Sequence, residues 1–339
     1  MKLFSHKPIQ YCLFGILAIV LPMLLNVKGS TFTLLASIGI IAIASLGFNI
    51  LLGFSGQISL GHGAFMGMGA YVSAYLVEKM NLPFIMGLVM AAIIPLLVGF
   101  ILGLIALRLE GHYLAIATLG FAVVIEEMFA EFSQYTGGWS GTKAGFPVIF
   151  GYKFDKTSVY MLVVLVLVGL MIATYNFMKS STGRALVAMK KSEHAAQAMG
   201  VSLFKYKLLA FSLSTMYAGI AGSLYIHFFR FCEPKLWGIS LSLDLLASVV
   251  IGGLGTIGGA VVGVAFLKLL PTLLQGVPIL GDIHGLAFVL TGVSIIVFIM
   301  FYPKGLINIP ADLIKTFKSR SKVHKVTKGG SGHGIGVED

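Results

Sequence analysis

The sequence predicts an all-α integral membrane protein, and three observations carry that class. Of 339 residues, 57% are hydrophobic and 11% charged, against about 25% charge in an ordinary soluble domain. Long apolar runs recur along the chain, each near the roughly 20 residues that cross a hydrocarbon core as helix. The 42 glycines suit helices whose backbones approach one another closely inside a membrane.

The runs are Tyr11 to Val27, Phe32 to Phe54, Phe84 to Leu107, Tyr113 to Ala130, Val159 to Met178, Leu208 to Phe229 and Leu286 to Tyr302. Gly56 to Val77, less apolar and rich in glycine, is read as a further crossing, which makes about eight. Pro95 and Pro271 fall inside spans, where neighbouring helices can satisfy the freed backbone groups. The first run follows Lys2 and Lys7, as a signal peptide would, but Leu25-Asn26-Val27-Lys28 has no small-residue cleavage site, so it is expected to stay as a span. Two cysteines, Cys12 and Cys232, are too few for a disulfide framework or metal cluster and read as packing residues.

A net charge of +11 could signal nucleic acid, yet the basic residues lie between and after the spans rather than on one folded face. They orient the chain. With the N-terminus cytoplasmic, the inner segments collect Lys2, Lys7, Arg108, six Lys/Arg from Lys179 to Lys207 and seven from Lys304 to Lys328, leaving about six to eight outside. Making Gly56 to Val77 re-entrant would put the basic stretch from Lys179 to Lys207 outside, against the positive-inside rule. Both termini are therefore expected in the cytoplasm. Residues 1–310 form one transmembrane domain, with an outer loop at 131–157 and a cytoplasmic loop at 179–207. Between Leu243 and Gln275 two apolar pieces flank "GGLGTIGG", and parity makes them a re-entrant or broken Gly-rich hairpin that enters and leaves on one face. Residues 311–339 are basic, polar and Gly-rich, a composition that suits disorder.

Few motifs point to chemistry. Gly253-Leu-Gly255-Thr-Ile-Gly258 spells the dinucleotide fingerprint, but without the strand and βαβ unit that give it meaning. No phosphate-gripping GxxxxGK[ST] loop occurs, so any energy from ATP must come through another subunit. His62, His112, His227 and His284 have no metal-ligand spacing, so neither a metal site nor a cofactor of the chain's own is expected. Glu126, Glu127 and Asp244 read as helix-end or solvated acids and Lys268 as a snorkelling base; no proton relay is evident. A membrane enzyme would need a clustered nucleophile, base or metal, and none can be assembled.

Two segments stand out for transport. "GFSGQISLGHGAFMGMGAY", residues 53–71, and the glycine cluster at 252–259 interrupt apolar sequence in opposite halves of the chain, the pattern of discontinuous helices beside a pathway. Gly63-x-x-x-Gly67 also has the spacing of helix-packing glycines, and packing and pathway are compatible roles. Ser55, Gly56, Gln57, Ser59, Gly61, Gly63, Thr118, Gly252, Gly253, Gly255 and Thr256 are the candidate path residues. The polar members offer only neutral hydrogen bonds of about 1 kcal/mol each, so substrate binding by this chain is expected to be weak.

The other segment is "SEHAAQAMGV", residues 192–201, a short polar interruption of an apolar chain. Ser192 suits an N-cap, Glu193 the positive end of a helix and Gly200 its C-terminal stop, giving roughly two turns at 193–199. With Ala195, Ala196, Ala198 and Met199 on a small smooth surface it has the shape of a peg; an ordinary solvated loop helix is the alternative.

"STGRALVAMKKSEHAAQAMGVSLFKYKLLAFSLS" resembles the cytoplasmic EAA-type loop of ABC importer permeases, with Arg184, Glu193, Ala196 and Gly200 at the matching positions. "GFNILLGFSGQISLGHGAFMGMGAY", "TGGWSGTKAG", "VVIGGLGTIGGAVVG" and "YPKGL", in that order, are similar to the LivM-type permeases of branched-chain amino acid importers over about residues 40–310. The resemblance implies a subunit of the bacterial inner membrane, embedded in lipid, that carries leucine, isoleucine and valine. It implies as partners a second LivH-type permease, two ATPase subunits that hydrolyse ATP and receive the Glu193 helix, and an extracytoplasmic binding protein facing the outer Gly-Trp loop. Beyond those matching positions the rest of the EAA pattern is weak here. Related permeases that take urea, short amides or other amino acids share these motifs, and an ion-coupled carrier working alone is the rival of a different class.

Overall fold

The computed structural model describes residues 7–24, 29–109, 111–149, 151–275 and scattered positions between 289 and 308. The span expected at Leu286 to Tyr302 is covered only at scattered positions; the 311–339 tail and both termini lie outside the described residues. In chain order come α1 (Lys7–Leu24), α2 (Gly29–Phe48) running on into a π-helical turn (Asn49–Phe54), α3 (His62–Ala74) with a second such turn (Tyr75–Lys79), α4 (Phe84–Ala106), α5 (His112–Glu131) and the single turn α6 (Ser133–Thr136). The 131–157 loop holds short strands β1 (Thr142–Lys143), β2 (Val148–Ile149) and β3 (Tyr152–Lys153), then α7 (Lys156–Lys179) follows. Next are α8 (Ser181–Lys191), α9 (Glu193–Ala198), α10 (Leu203–Phe229), β4 (Phe231–Cys232), a 3-10 turn (Pro234–Trp237), α11 (Ile239–Gly252) and α12 (Ile257–Gln275).

Among the described residues eight helices are long and apolar enough to cross a membrane, so the chain is a multi-pass membrane protein. They are not the same eight that the sequence suggested. Pro234–Gly252 and Ile257–Leu274 both qualify, while α3 does not. The arms of the expected hairpin are thus a 14-residue helix, α11, and a 19-residue helix, α12, packed on each other and broken at the glycine turn between them.

The core is α10, flanked by α2, α3 and α4. The apolar stretch of α2 is 83% buried and that of α1 only 11%. A helix that is apolar all round belongs inside, and α2 has no polar face to offer solvent or a partner surface. Small residues set the closeness: a Cβ on Gly69 would overlap the Gly219 backbone, and one on Gly222 the Met66 carbonyl. Dispersion between such close backbones replaces the hydrophobic drive that lipid cannot supply.

Two long helices each lead into an irregular segment and then a shorter helix. After α2 the chain is irregular from Ser55 to Gly61, and α3 starts at His62 beside Ser214, near the middle of α10, whose carbonyl lies against Gly47 close to the end of α2. After α10 the chain turns through β4 and the 3-10 turn over residues 230–238, and α11 starts against Gly63, whose N–H donates to Ser242 Oγ at 2.9 Å. From that meeting point α3 runs towards the end holding the 131–157 loop, where Lys79 Nζ donates to the Gln134 carbonyl. α11 runs the other way, past a Ser45–Ser248 hydrogen bond of 2.8 Å, to a turn beside Gly53 at the end holding α8 and α9. The two breaks are therefore inverted relative to one another, with the N-termini of both short helices meeting midway.

Candidate translocation path and coupling surface

The Ser55–Gly61 segment carries backbone polar groups to a depth where only protein or a water-filled cavity can satisfy them. Ser55 Oγ donates to the Leu51 carbonyl at 2.7 Å, and Gln57 Nε2 donates to Ser55 Oγ at 2.7 Å and to the Lys207 carbonyl at 3.2 Å. Gly56 adopts φ +78 and rests against the stem of Lys190 on α8. Ser59 Oγ accepts from Gly61 N, and the Leu60 N–H donates to Thr118 Oγ1 at 3.0 Å. Gly61 lies so near α5 that a Cβ would sit 2.9 Å from the Thr118 carbonyl, and a Cβ on Gly63 would sit 2.6 Å from the Trp237 carbonyl.

The Gly252–Thr256 turn meets the π-turn Asn49–Phe54, just before that segment. Gly253 and Gly255 have φ of +119 and +74, which L side chains rarely adopt, and a Cβ on Gly252 would overlap the Gly259 carbonyl. Thr256 Oγ1 donates to the Gly253 carbonyl at 2.6 Å. Asn49, overlooked in the sequence, holds the turn with both ends of its carboxamide: Oδ1 accepts from Gly255 N and Nδ2 donates to the Thr256 carbonyl, each at 2.9 Å. A lone Asn inside "GFNILLGF" was the available signal, since a polar side chain buried in a span needs a partner. His62, Ser214, Ser242 and Trp237 were missed as partners for the same reason. The structure places Ser55, Gly56, Gln57, Ser59, Gly61, Gly63 and Thr118 along the break between α2 and α3, and Gly252, Gly253, Gly255 and Thr256 at the far end of α11 against the end of the α2 π-turn. Most of their polar groups are used on one another; Gln57 Oε1 and His62 Nδ1 are buried with no protein partner.

The acids fall elsewhere. Glu126 lies at the first turn of α11, its carboxylate 2.7 Å from where a Gly238 Cβ would be, so it answers the positive end of that helix. Asp244 lies midway along α11 and interacts electrostatically with Lys268 of α12, though no direct ion pair forms. Outside the spans, the Asp155 carboxyl is held below its usual range by the Ser158 N–H and hydroxyl at the N-terminus of α7.

At the α8–α9 end the short helix is formed much as its caps require. Ser192 Oγ accepts from Ala195 N at 3.3 Å, α9 spans Glu193–Ala198, and Gly200 turns the chain with φ +83 in open space. Ala196 is buried and anchors α9, while Ala195 and Ala198 are exposed and Met199 is 85% exposed. Glu193 pairs with Lys207 of α10 at 2.7 Å, and Arg184 Nη1 donates to the Lys179 carbonyl at 2.8 Å, closing the end of α7. Beside α9 a groove of about 780 Å³ is lined by His112, Tyr113, Glu193, His194, Gln197 and Lys207.

At the opposite end the 136–145 motif is pinned to the bundle. β1 pairs antiparallel with β4, the Gly145 N–H donates to Glu78 Oε1 at 2.6 Å, and His227 Nδ1 and the Gly145 carbonyl lie 3.0 Å apart. Cys232 is buried there with its thiol pushed up to about 12 by desolvation, whereas Cys12 is exposed on α1 rather than packed.

Residues 30–301 match the family described as branched-chain amino acid transport system / permease component. The chain belongs to this family. Within the permease family it is 28% identical over 305 residues to the high-affinity branched-chain amino acid transport system permease protein LivM of Salmonella typhimurium, covering 83% of this chain and 70% of that one. The LivM protein of Escherichia coli K12 gives the same identity and coverage. A probable branched-chain amino acid transport permease protein LivH of Methanocaldococcus jannaschii is 26% identical over 276 residues, covering 76% of this chain and 85% of its own. No solved structure matches the chain.

Proposed function

We propose that this permease is the LivM-type half of an ATP-driven importer of leucine, isoleucine and valine in a bacterial inner membrane. It pairs with a LivH-type permease, two ATPase subunits and an extracytoplasmic binding protein, contains no ATP site, and has the α8–α9 end and both termini in the cytoplasm. The observation that carries this reading is the exposed α9 helix, capped and braced by Glu193–Lys207, on the same end as the broken α2 and α11 elements. Arg184, Glu193, Ala195, Ala196 and Gly200 form the surface that docks on an ATPase. The eleven residues from Ser55 to Thr256 line or shape the path. With their hydrogen bonds spent internally they hold substrate weakly, about 4 kcal/mol at a millimolar constant, and selectivity rests with the binding protein.

Reconstitution of the four kinds of subunit in proteoliposomes tests this. Leucine uptake that needs ATP and binding protein is expected; uptake of urea or short amides in its place would move the substrate within the family. Asp244 and Lys268, ionisable side chains within α11 and α12, favour one second reading, an ion-coupled carrier, because ionisable groups inside spans mark coupling pathways. Leucine uptake by this chain alone on an ion gradient, lost in Asp244→Asn, would establish that reading and overturn the importer.

A further inference from the structure

α8 lies at the surface, yet one of its side chains reaches the broken segment directly. Lys190 Nζ donates to the Gly53 carbonyl at 2.5 Å. That carbonyl is at the C-terminal end of the α2 π-turn, where the next three N–H groups are already taken: Ser55 N goes to the Ile50 carbonyl, Gly56 N to Leu52 and Gln57 N to Leu51. Helix C-termini carry partial negative charge and favour a cation, so the ammonium is well matched to this place. Partial burial lowers the Lys190 pKa, as for an amine drawn from water towards the bundle. The Lys190 stem also covers Gly56, and Gly53 backs directly onto Gly255, where a Cβ would be 3.0 Å from the same Gly53 carbonyl. One ammonium therefore touches the point where α2, the Ser55–Gly61 segment and the Gly252–Thr256 turn converge.

We propose that Lys190 is the positioning residue that transmits displacement of α8–α9 to the glycine junction, so that ATP hydrolysis moves the path. The proposal rests on the importer reading above. Its geometry separates a transmitting role from a purely structural one, because Lys190 spans from the docking surface to the break through a single polar bond while its own helix is anchored by buried Leu186 and Met189.

The test uses Lys190→Met, which keeps the stem and removes the donor, and Lys190→Arg, which restores a donor. In the reconstituted importer, leucine moved per ATP should fall about tenfold in Lys190→Met, the scale of one hydrogen bond to a charged group, and recover in Lys190→Arg. A structural role alone would lower assembly, hydrolysis and uptake together with their ratio unchanged, and that result, or no change at all, overturns the proposal. A second readout does not depend on transport: in the purified chain with Ser55→Cys, alkylation at position 55 should quicken about tenfold when Lys190→Met is added. Equal alkylation rates overturn the link even if the importer reading itself has failed. ATP-dependent uptake by the wild type with unchanged coupling in Lys190→Met would leave that reading intact and sink this one.

Discussion

The two breaks in the bundle are built from different materials. Between α2 and α3 the chain is held by side chains reaching backbone groups: Gln57 to Lys207, Leu60 to Thr118, Asn49 to Gly255 and Thr256. Between α10 and α11 it is held by apolar burial and strand pairing. Trp237 is buried between Gly67 and Tyr225, Cys232 is buried, and β4 is fixed to β1. Hydrogen bonds can be exchanged one at a time during a conformational change, whereas a packed tryptophan must leave its site entirely. The first break is thus suited to move and the second to stay as the fixed reference.

The largest expected effect comes from filling the point where the breaks meet. Gly63→Leu has nowhere to place its side chain against the Trp237 and Gly238 carbonyls, so membrane-inserted protein and uptake should both be lost. Leu165→Ala, at a residue that is 67% exposed, should be tolerated in the same uptake assay, and equal tolerance at both sites would remove the junction from the path. Trp237→Ala follows, at about 3–5 kcal/mol for a large buried side chain. It should appear as a marked drop in melting temperature in detergent. Asn49→Leu should cost less, about 1–3 kcal/mol for the two backbone groups it strands, while reducing uptake beyond what the loss of protein explains. That asymmetry between Trp237 and Asn49, stability on one side and transport on the other, is what the comparison demands.

The smallest stability effect belongs to the surface. The Glu193–Lys207 pair is partly exposed, and such pairs are worth about 0–1 kcal/mol, so Glu193→Lys should insert normally and yet lower transport-linked ATP hydrolysis. Chemistry checks the fixed break separately. A thiol pushed up to about 12 is almost wholly protonated at neutral pH, and only the thiolate is alkylated readily, so Cys232 should resist alkylation in the folded protein and react once it is denatured.

Much of this was legible in the sequence because apolar runs and caps act locally. The spans, the Ser192 cap of α9 and the glycine turn at 252–256 each follow from residues within a few positions of one another. The depth at which α3 begins was not legible. Gly56 to Val77 is long enough to cross as one helix, and only contacts with Ser214 and Ser242, far along the chain, place its start halfway. Asn49 and Lys190 were hidden for the same reason, since their partners lie 207 and 137 residues away. The strands of two residues each leave no periodicity to read.

The central claim is that one break moves while the other holds, and amide hydrogen exchange on the assembled importer tests it most directly. Comparing nucleotide-free and ATP-trapped states, exchange over residues 53–61 should change strongly, while exchange over 230–238 should be the same in both. Equal changes in the two segments, or a change confined to 230–238, would contradict the account.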